Sequence, residues 1–197
     1  MLIGKIIKSN SHTDYICQVY GHSEVEVTPT ADDYAFGTFV RTAQEDDRWL
    51  VGIIYDTVLF NPEFGRLGPR LSPEAELSIF SPDYLNEKAL LVGIISVGMV
   101  DSSGDVIQGI PPLAVKSEAL VHTMTGEQVR AFHAGSPDPQ LAYAPVLLAK
   151  DPQLMPHLLQ TVLKKLVVLF PEHKTLLSVL ESELSWKAQI SPIGGSQ

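Results

Sequence analysis

"YAFGTFVRTAQEDDRWLVGIIYDT", residues 34–57, consists of two apolar runs joined by an acidic turn, with a glycine beside the apolar residues of each run. β-branched and aromatic residues dominate both runs, which predicts two short antiparallel strands around "QEDD". Gly37 and Gly52 fit strands that bend sharply or approach another backbone closely, where a side chain would be in the way. Strands of this length, with turn residues every ten or so positions, predict a small barrel or sandwich rather than βαβ units.

The flanking sequence extends the pattern. "LIGKIIKS" (2–9) and "TDYICQVY" (13–20) read as strands around a polar turn, and "SEVEV" (23–27) alternates as a half-buried strand would. "ALLVGIISVGMV" (89–100) and "DVIQGI" (105–110) follow as strands around "DSSG", and "PPLAVKSEALVHTMT" (111–125) contains another. "GEQVRAF" (126–132) begins a short helix. Between residues 58 and 88 prolines at 62, 69, 73 and 82 deny any long regular element, so this segment reads as an ordered insertion.

"HAGSPDPQ" (133–140) marks a boundary, after which the apolar spacing becomes helical. In "DPQLMPHLLQTVLKKLVVLF" (151–170) Asp151 is the expected N-cap and Pro152 the expected first-turn residue. Leu176, Leu177, Leu180 and Leu184 mark a second helix beyond Pro171. The expected fold is therefore α+β, mainly β. It comprises a small closed six-stranded antiparallel barrel over residues 1–135 with 58–88 inserted, a helical hairpin over 141–190, and a frayed tail at 191–197.

Composition narrows the function classes. The chain has 197 residues, 45% of them hydrophobic and 19% charged, as expected of a folded globular protein. Its longest apolar stretch, 89–100, has about half the roughly 20 residues a membrane helix needs. With the single Cys17 no intramolecular disulfide forms, and with no signal-peptide pattern at the N-terminus the expected location is the cytoplasm. Residues 1–149 hold 9 Lys and Arg against 19 Asp and Glu, whereas 150–197 hold 5 against 4. An acidic main body argues against broad contact with phosphate backbones, and favours protein partners or self-association.

"IGKIIKSNSHTDYICQVY" (3–20), "YAFGTFVRT" (34–42) and "LVGIIYDT" (50–57) together resemble the HAS barrel, and "GIPPLAVKSEALVH" (109–122) resembles the Pro-containing approach to its later strands. That six-stranded module begins the HerA-type DNA-translocating ATPases and the α and β subunits of rotary ATP synthases. Gly4, Gly37, Val40 and Gly52 occupy the positions of its strand motifs. In those larger proteins a P-loop ATPase domain follows, whereas here about 50 helical residues follow and G-x-x-x-x-G-K-[ST] occurs nowhere. The resemblance thus implies the barrel's other role, subunit contact or the docking of a partner such as a P-loop ATPase or nuclease, and not ATP hydrolysis.

Candidate chemistry is sparse. "HTDYIC" offers His12 as a base, Asp14 as its orienting carboxylate and Cys17 as a thiol. Strand alternation puts Asp14 and Cys17 on opposite faces, so a turn histidine and a core cysteine are the simpler reading. Six scattered histidines show no metal-ligand spacing, and Asp32, Asp33, Glu45, Asp46 and Asp47 read as turn residues. No cofactor, metal or catalytic residue is therefore assigned. The functional expectation falls on "NPEFGRLGPRLSP" (61–73), where Phe64, Arg66, Leu67 and Arg70 are either partner contacts or part of a plug over one barrel mouth. The leading expectation is a non-enzymatic interaction or assembly module. A nucleic-acid-binding small barrel and a hydrolase without a recognisable motif are the alternatives.

Overall fold

The computed structural model describes residues 1–44, 46–60, 89–135 and 137–190. The described residues form seven strands: β1 (Leu2–Ser11), β2 (Asp14–Val19), β3 (Phe39–Ala43), β4 (Trp49–Phe60), β5 (Ala89–Val100), β6 (Val106–Gln108) and β7 (Leu120–Thr123). All pairings are antiparallel, in the order β2-β1-β7-β3-β4-β5-β6, and β2 also pairs with β5. The second pairing closes six strands into a barrel and leaves β6 as an addition beside the end of β5. Closure satisfies the backbone groups that an open edge would present to solvent. The fold is α+β, mainly β, as expected.

The opening stretch folds as its pattern requires. Residues 39–43 pair with 53–49, and the reversal is closed by Gln44 N–H donating to the Arg48 carbonyl at 2.8 Å. Asp46 and Asp47 both adopt left-handed backbone there, φ 58° and 56°, which Asp tolerates better than most residues. Gly37 enters β3 with φ 79°, and a Cβ on it would lie 2.6 Å from Thr161 Cγ2. Gly52 faces the backbone of β5, where an added Cβ would meet Ile94 Cγ2 at 2.6 Å and the Ile95 carbonyl at 3.2 Å. Close approach thus explains Gly52, and backbone sign explains Gly37.

Two expectations about the strands change. "SEVEV" forms turns instead of a strand: Glu24 N–H donates to the Gly21 carbonyl, its carboxylate accepts from Gly21 N–H, and Val27 is 66% exposed. Alternation alone cannot make a strand where the barrel offers no edge to pair with. In addition, β4 runs to Phe60 and so enters the stretch assigned to the insertion, whereas β5 spans Ala89–Val100 as expected. The remainder of that insertion, with Phe64, Arg66, Leu67 and Arg70, lies outside the described residues, as does the tail 191–197.

Helices α1 (Gly126–His133), α2 (Ala144–Lys150), α3 (Met155–Leu169) and α4 (Lys174–Ile190) form the second layer, with a 3-10 turn at Pro171–His173 between the last two. A capping box starts α1: Gln128 N–H donates to Thr125 Oγ1, and Thr125 N–H donates to Gln128 Oε1. The next helix ends at Lys150, so Asp151 does not cap α3 directly. Its carboxylate instead accepts from Gln153 and Leu154 N–H in an intervening turn, and α3 begins four residues later, with Pro156 in its first turn.

Two cores result. Inside the barrel lie Ile3, Ile6, Tyr15, Cys17, Val19, Val40, Ile54, Val92, Ile94 and Val121. Outside it, Phe39, Val51, Ile53, Ile95 and Val97 pack against Val129 and Phe132 of α1, Leu147 of α2, and Leu158, Leu159, Val162, Leu163 and Leu166 of α3. The helical layer therefore covers a second apolar face of β3–β5, and α1 shares that core with the later helices. Gly52→Ala is expected to destabilise the fold by about 1–3 kcal/mol, because a stiff β-branched side chain and a carbonyl must both move. Urea unfolding of the two proteins measures this, with the slope unchanged and the midpoint lowered.

Candidate functional site

His12, Asp14 and Cys17 do not converge. His12 sits at the β1–β2 turn and its Nε2 donates to the Pro111 carbonyl at 2.8 Å. Next to it, Tyr15 is anchored in the barrel mouth, its hydroxyl donating to the His12 carbonyl and accepting from Val115 N–H. Cys17 is fully buried, and burial pushes its thiol up to about 12, far from a thiolate at neutral pH. Asp14 points the other way, toward the helices. It accepts from the Tyr55 hydroxyl at 2.9 Å and from Lys150 Nζ at 2.9 Å, tying β2, β4 and α2 together. Burial, and then the bond to Asp14, raises the Tyr55 pKa.

A second polar pair lies deeper in the seam. His133 is wholly buried, its Nδ1 donating to the Val129 carbonyl and its Nε2 accepting from the Tyr143 hydroxyl, each at 2.8 Å. Edge contacts with Phe39 and Phe132, at centroid separations of 5.2 and 5.1 Å, complete its surroundings. Burial lowers the pKa of His133 to about 4, only partly opposed by its backbone bond, and raises that of Tyr143. Among the described residues, no group of three or more His, Cys, Asp or Glu could hold a metal ion. No described helix is long and apolar enough to cross a membrane.

What the seam does present is two adjacent depressions that share Met124, each with one cation on its wall. The first, about 170 Å³, lies between β3–β5, the β5–β6 hairpin and α1, and is lined by Arg41, Trp49, Val51, Val106, Met124 and Phe132 among others. Arg41 and Trp49 stand on the outer face of the barrel, with the guanidinium carbon 4.0 Å from the indole centroid. Arg41 Nε is buried without a partner, and so is Nδ1 of His122, which is paired with Arg41 across β3 and β7. Burial, then the charges of the amino terminus and of Arg41, lower the pKa of His122.

The second depression, about 340 Å³, opens between the start of β3, α1 and α3. Its walls include Phe39, Met124, Gly126, Val129, Lys165 and Val168. Lys165 Nζ donates to the Gly37 carbonyl at 2.9 Å, and burial lowers its pKa. Val168, on the lip, is 78% exposed. Sequence reasoning missed Arg41, Trp49 and Lys165, because nothing in their spacing shows that a strand pair and two helices that begin more than 60 residues later enclose them. The only sequence signal was a basic and an aromatic residue on the same side of adjacent strands.

A family profile described as "Domain of unknown function (DUF8166)" matches residues 1–193. The chain belongs to that family. The match runs through the barrel and the helical layer alike, and therefore spans both walls of the two depressions. No curated protein matches the chain.

The His133–Tyr143 pair has a measurable consequence. Unfolded, the imidazole takes up a proton near pH 6.5; folded, only near pH 4. Unfolding therefore binds a proton between those values, so stability rises with pH across that window. The contribution is complete above about pH 6.5 and absent below about pH 4, a span of about 3 kcal/mol. Urea midpoints of the wild type and His133→Phe, compared at pH 7.5, 6 and 4.5, are expected to differ less as the pH falls.

Proposed function

We propose that this protein is a non-enzymatic assembly module, a HAS-like barrel that docks a protein partner through its helical side, as the barrel component of a HerA-like ATPase or nuclease system. One observation carries this reading: the open depression of about 340 Å³ at the start of β3, with an apolar floor and the large aliphatic Val168 standing in solvent on its lip. An exposed aliphatic beside a concave apolar wall is an arrangement that protein interfaces favour. Leu176 and Val179, one helical turn apart on α4, are a further 40% and 53% exposed.

Several features agree with a role in contact rather than turnover. The buried thiol of Cys17 is held neutral, and His133 is enclosed by bonds to Val129 and Tyr143. The Asp14 carboxylate is bonded to Tyr55 and Lys150. Lys165 gives the depression a positive wall, and that favours a partner segment in which an apolar side chain stands near a carboxylate.

The test is affinity capture with the tagged full chain from its own cells, alongside light scattering at tens of micromolar protein, a range where even modest interfaces populate. Retrieval of a P-loop ATPase or nuclease by the wild type, lost with Val168→Asp, is the expected result. That exposed position tolerates a charge, so the variant keeps its melting temperature. A wild type that is strictly monomeric and retrieves neither class of protein overturns the reading.

A further inference from the structure

The smaller depression carries an inference independent of that reading. Its lining is almost wholly apolar: Val51 and Val106 from the strands, Met124, and Phe132 from α1. The exception that matters is Arg41. Its guanidinium lies over Trp49, which orients the plane, and no described carboxylate or carbonyl accepts from it. A buried donor left unpaired is costly, and a guanidinium pre-oriented on an aromatic face has its N–H edge disposed for two parallel bonds to a carboxylate. Gln128 also lines the cavity. Its oxygen is occupied by Thr125 N–H, which leaves its amide nitrogen as a second donor. The volume, about 170 Å³, suits one phenyl ring or a short alkyl chain.

We infer that this cavity is a binding site for a small apolar carboxylate, with Arg41 taking the carboxylate and Val51, Val106 and Phe132 enclosing the apolar body. The same chemistry occurs in a free monocarboxylic acid and in the last residue of a polypeptide that ends in an apolar side chain.

Trp49 makes the site observable. In the full chain carrying Trp186→Phe, Trp49 is the remaining tryptophan, and its fluorescence is followed during titration with 3-phenylpropanoate. The expected result is a saturable change, with the acid binding at least about tenfold more tightly than 3-phenylpropanamide, since a charge-assisted pair is at stake. Arg41→Gln is expected to remove that preference and Arg41→Lys to restore part of it. Val106→Phe, at a partly exposed hairpin position, is expected to fill the cavity and abolish binding while Arg41 stays in place. A short peptide ending in Phe, as free acid and as amide, separates the two sources. If the peptide acid binds more tightly than 3-phenylpropanoate, the natural ligand is a chain terminus; if it is excluded while the small acid binds, the ligand is a free acid. Equal affinity for acid and amide overturns the inference. So does undiminished binding in a folded Val106→Phe protein, or the absence of saturation up to about 10 mM.

Discussion

β4 and β5 are apolar on both faces, and the rest of the structure follows from that constraint. In a small barrel the inward side chains fill the interior, and here Ile54, Val92 and Ile94 do so. The outward ones ordinarily meet water. In this protein Val51, Ile53, Ile95 and Val97 point outward and are just as buried. Each such side chain gains about 1.5–3 kcal/mol by leaving water, so the barrel needs its helical layer as much as the helices need the barrel. That need explains why α3 is apolar over a broad face, with Leu158, Leu159, Val162, Leu163 and Leu166 all buried.

Strand identity was legible where the signal was local. β-branched runs separated by polar turns and proline-rich breaks located β1 to β5, and the apolar run at 89–100 carried the mark of a strand covered on both sides. "SEVEV" shows the limit of the same logic, since alternation describes a face but not a partner. The start of α3 was misplaced for a related reason. Asp151 and Pro152 have the chemistry of a helix start, yet Asp151 uses its carboxylate on a turn between two helices, and the helix waits for Pro156.

The seam itself was illegible because its contacts are long-range. Asp14 meets Lys150, and Gly37 meets Lys165. A single sequence contains no periodicity that links such distant positions. The face assignment of "HTDYIC" did work: strand alternation sent Cys17 into the barrel and Asp14 toward the helices. What it could not supply was the identity of the groups waiting there, Tyr55 and Lys150.

The acidity of the chain acquires a different meaning once the carboxylates are located. Asp33 accepts from Thr30, Asp101 from Ser103 and Asp105 N–H, Glu24 from Gly21 N–H, and Asp151 from Gln153 and Leu154 N–H. These anions satisfy backbone donors in turns, and their pull is spent within a few residues. Asp14 is the described carboxylate that reaches into the seam, where Lys150 neutralises it. Arg41 and Lys165 are thus left on a mostly apolar surface, with no carboxylate among the described residues bonded to either. Arg41 is half-buried with its Nε out of contact with water, so its field is screened less there than on the open surface. A protein with a net charge of −9 consequently keeps Arg41 and Lys165 in two adjacent depressions whose remaining walls suit apolar groups. Selectivity for a negatively charged apolar group follows from that placement, and not from the overall charge.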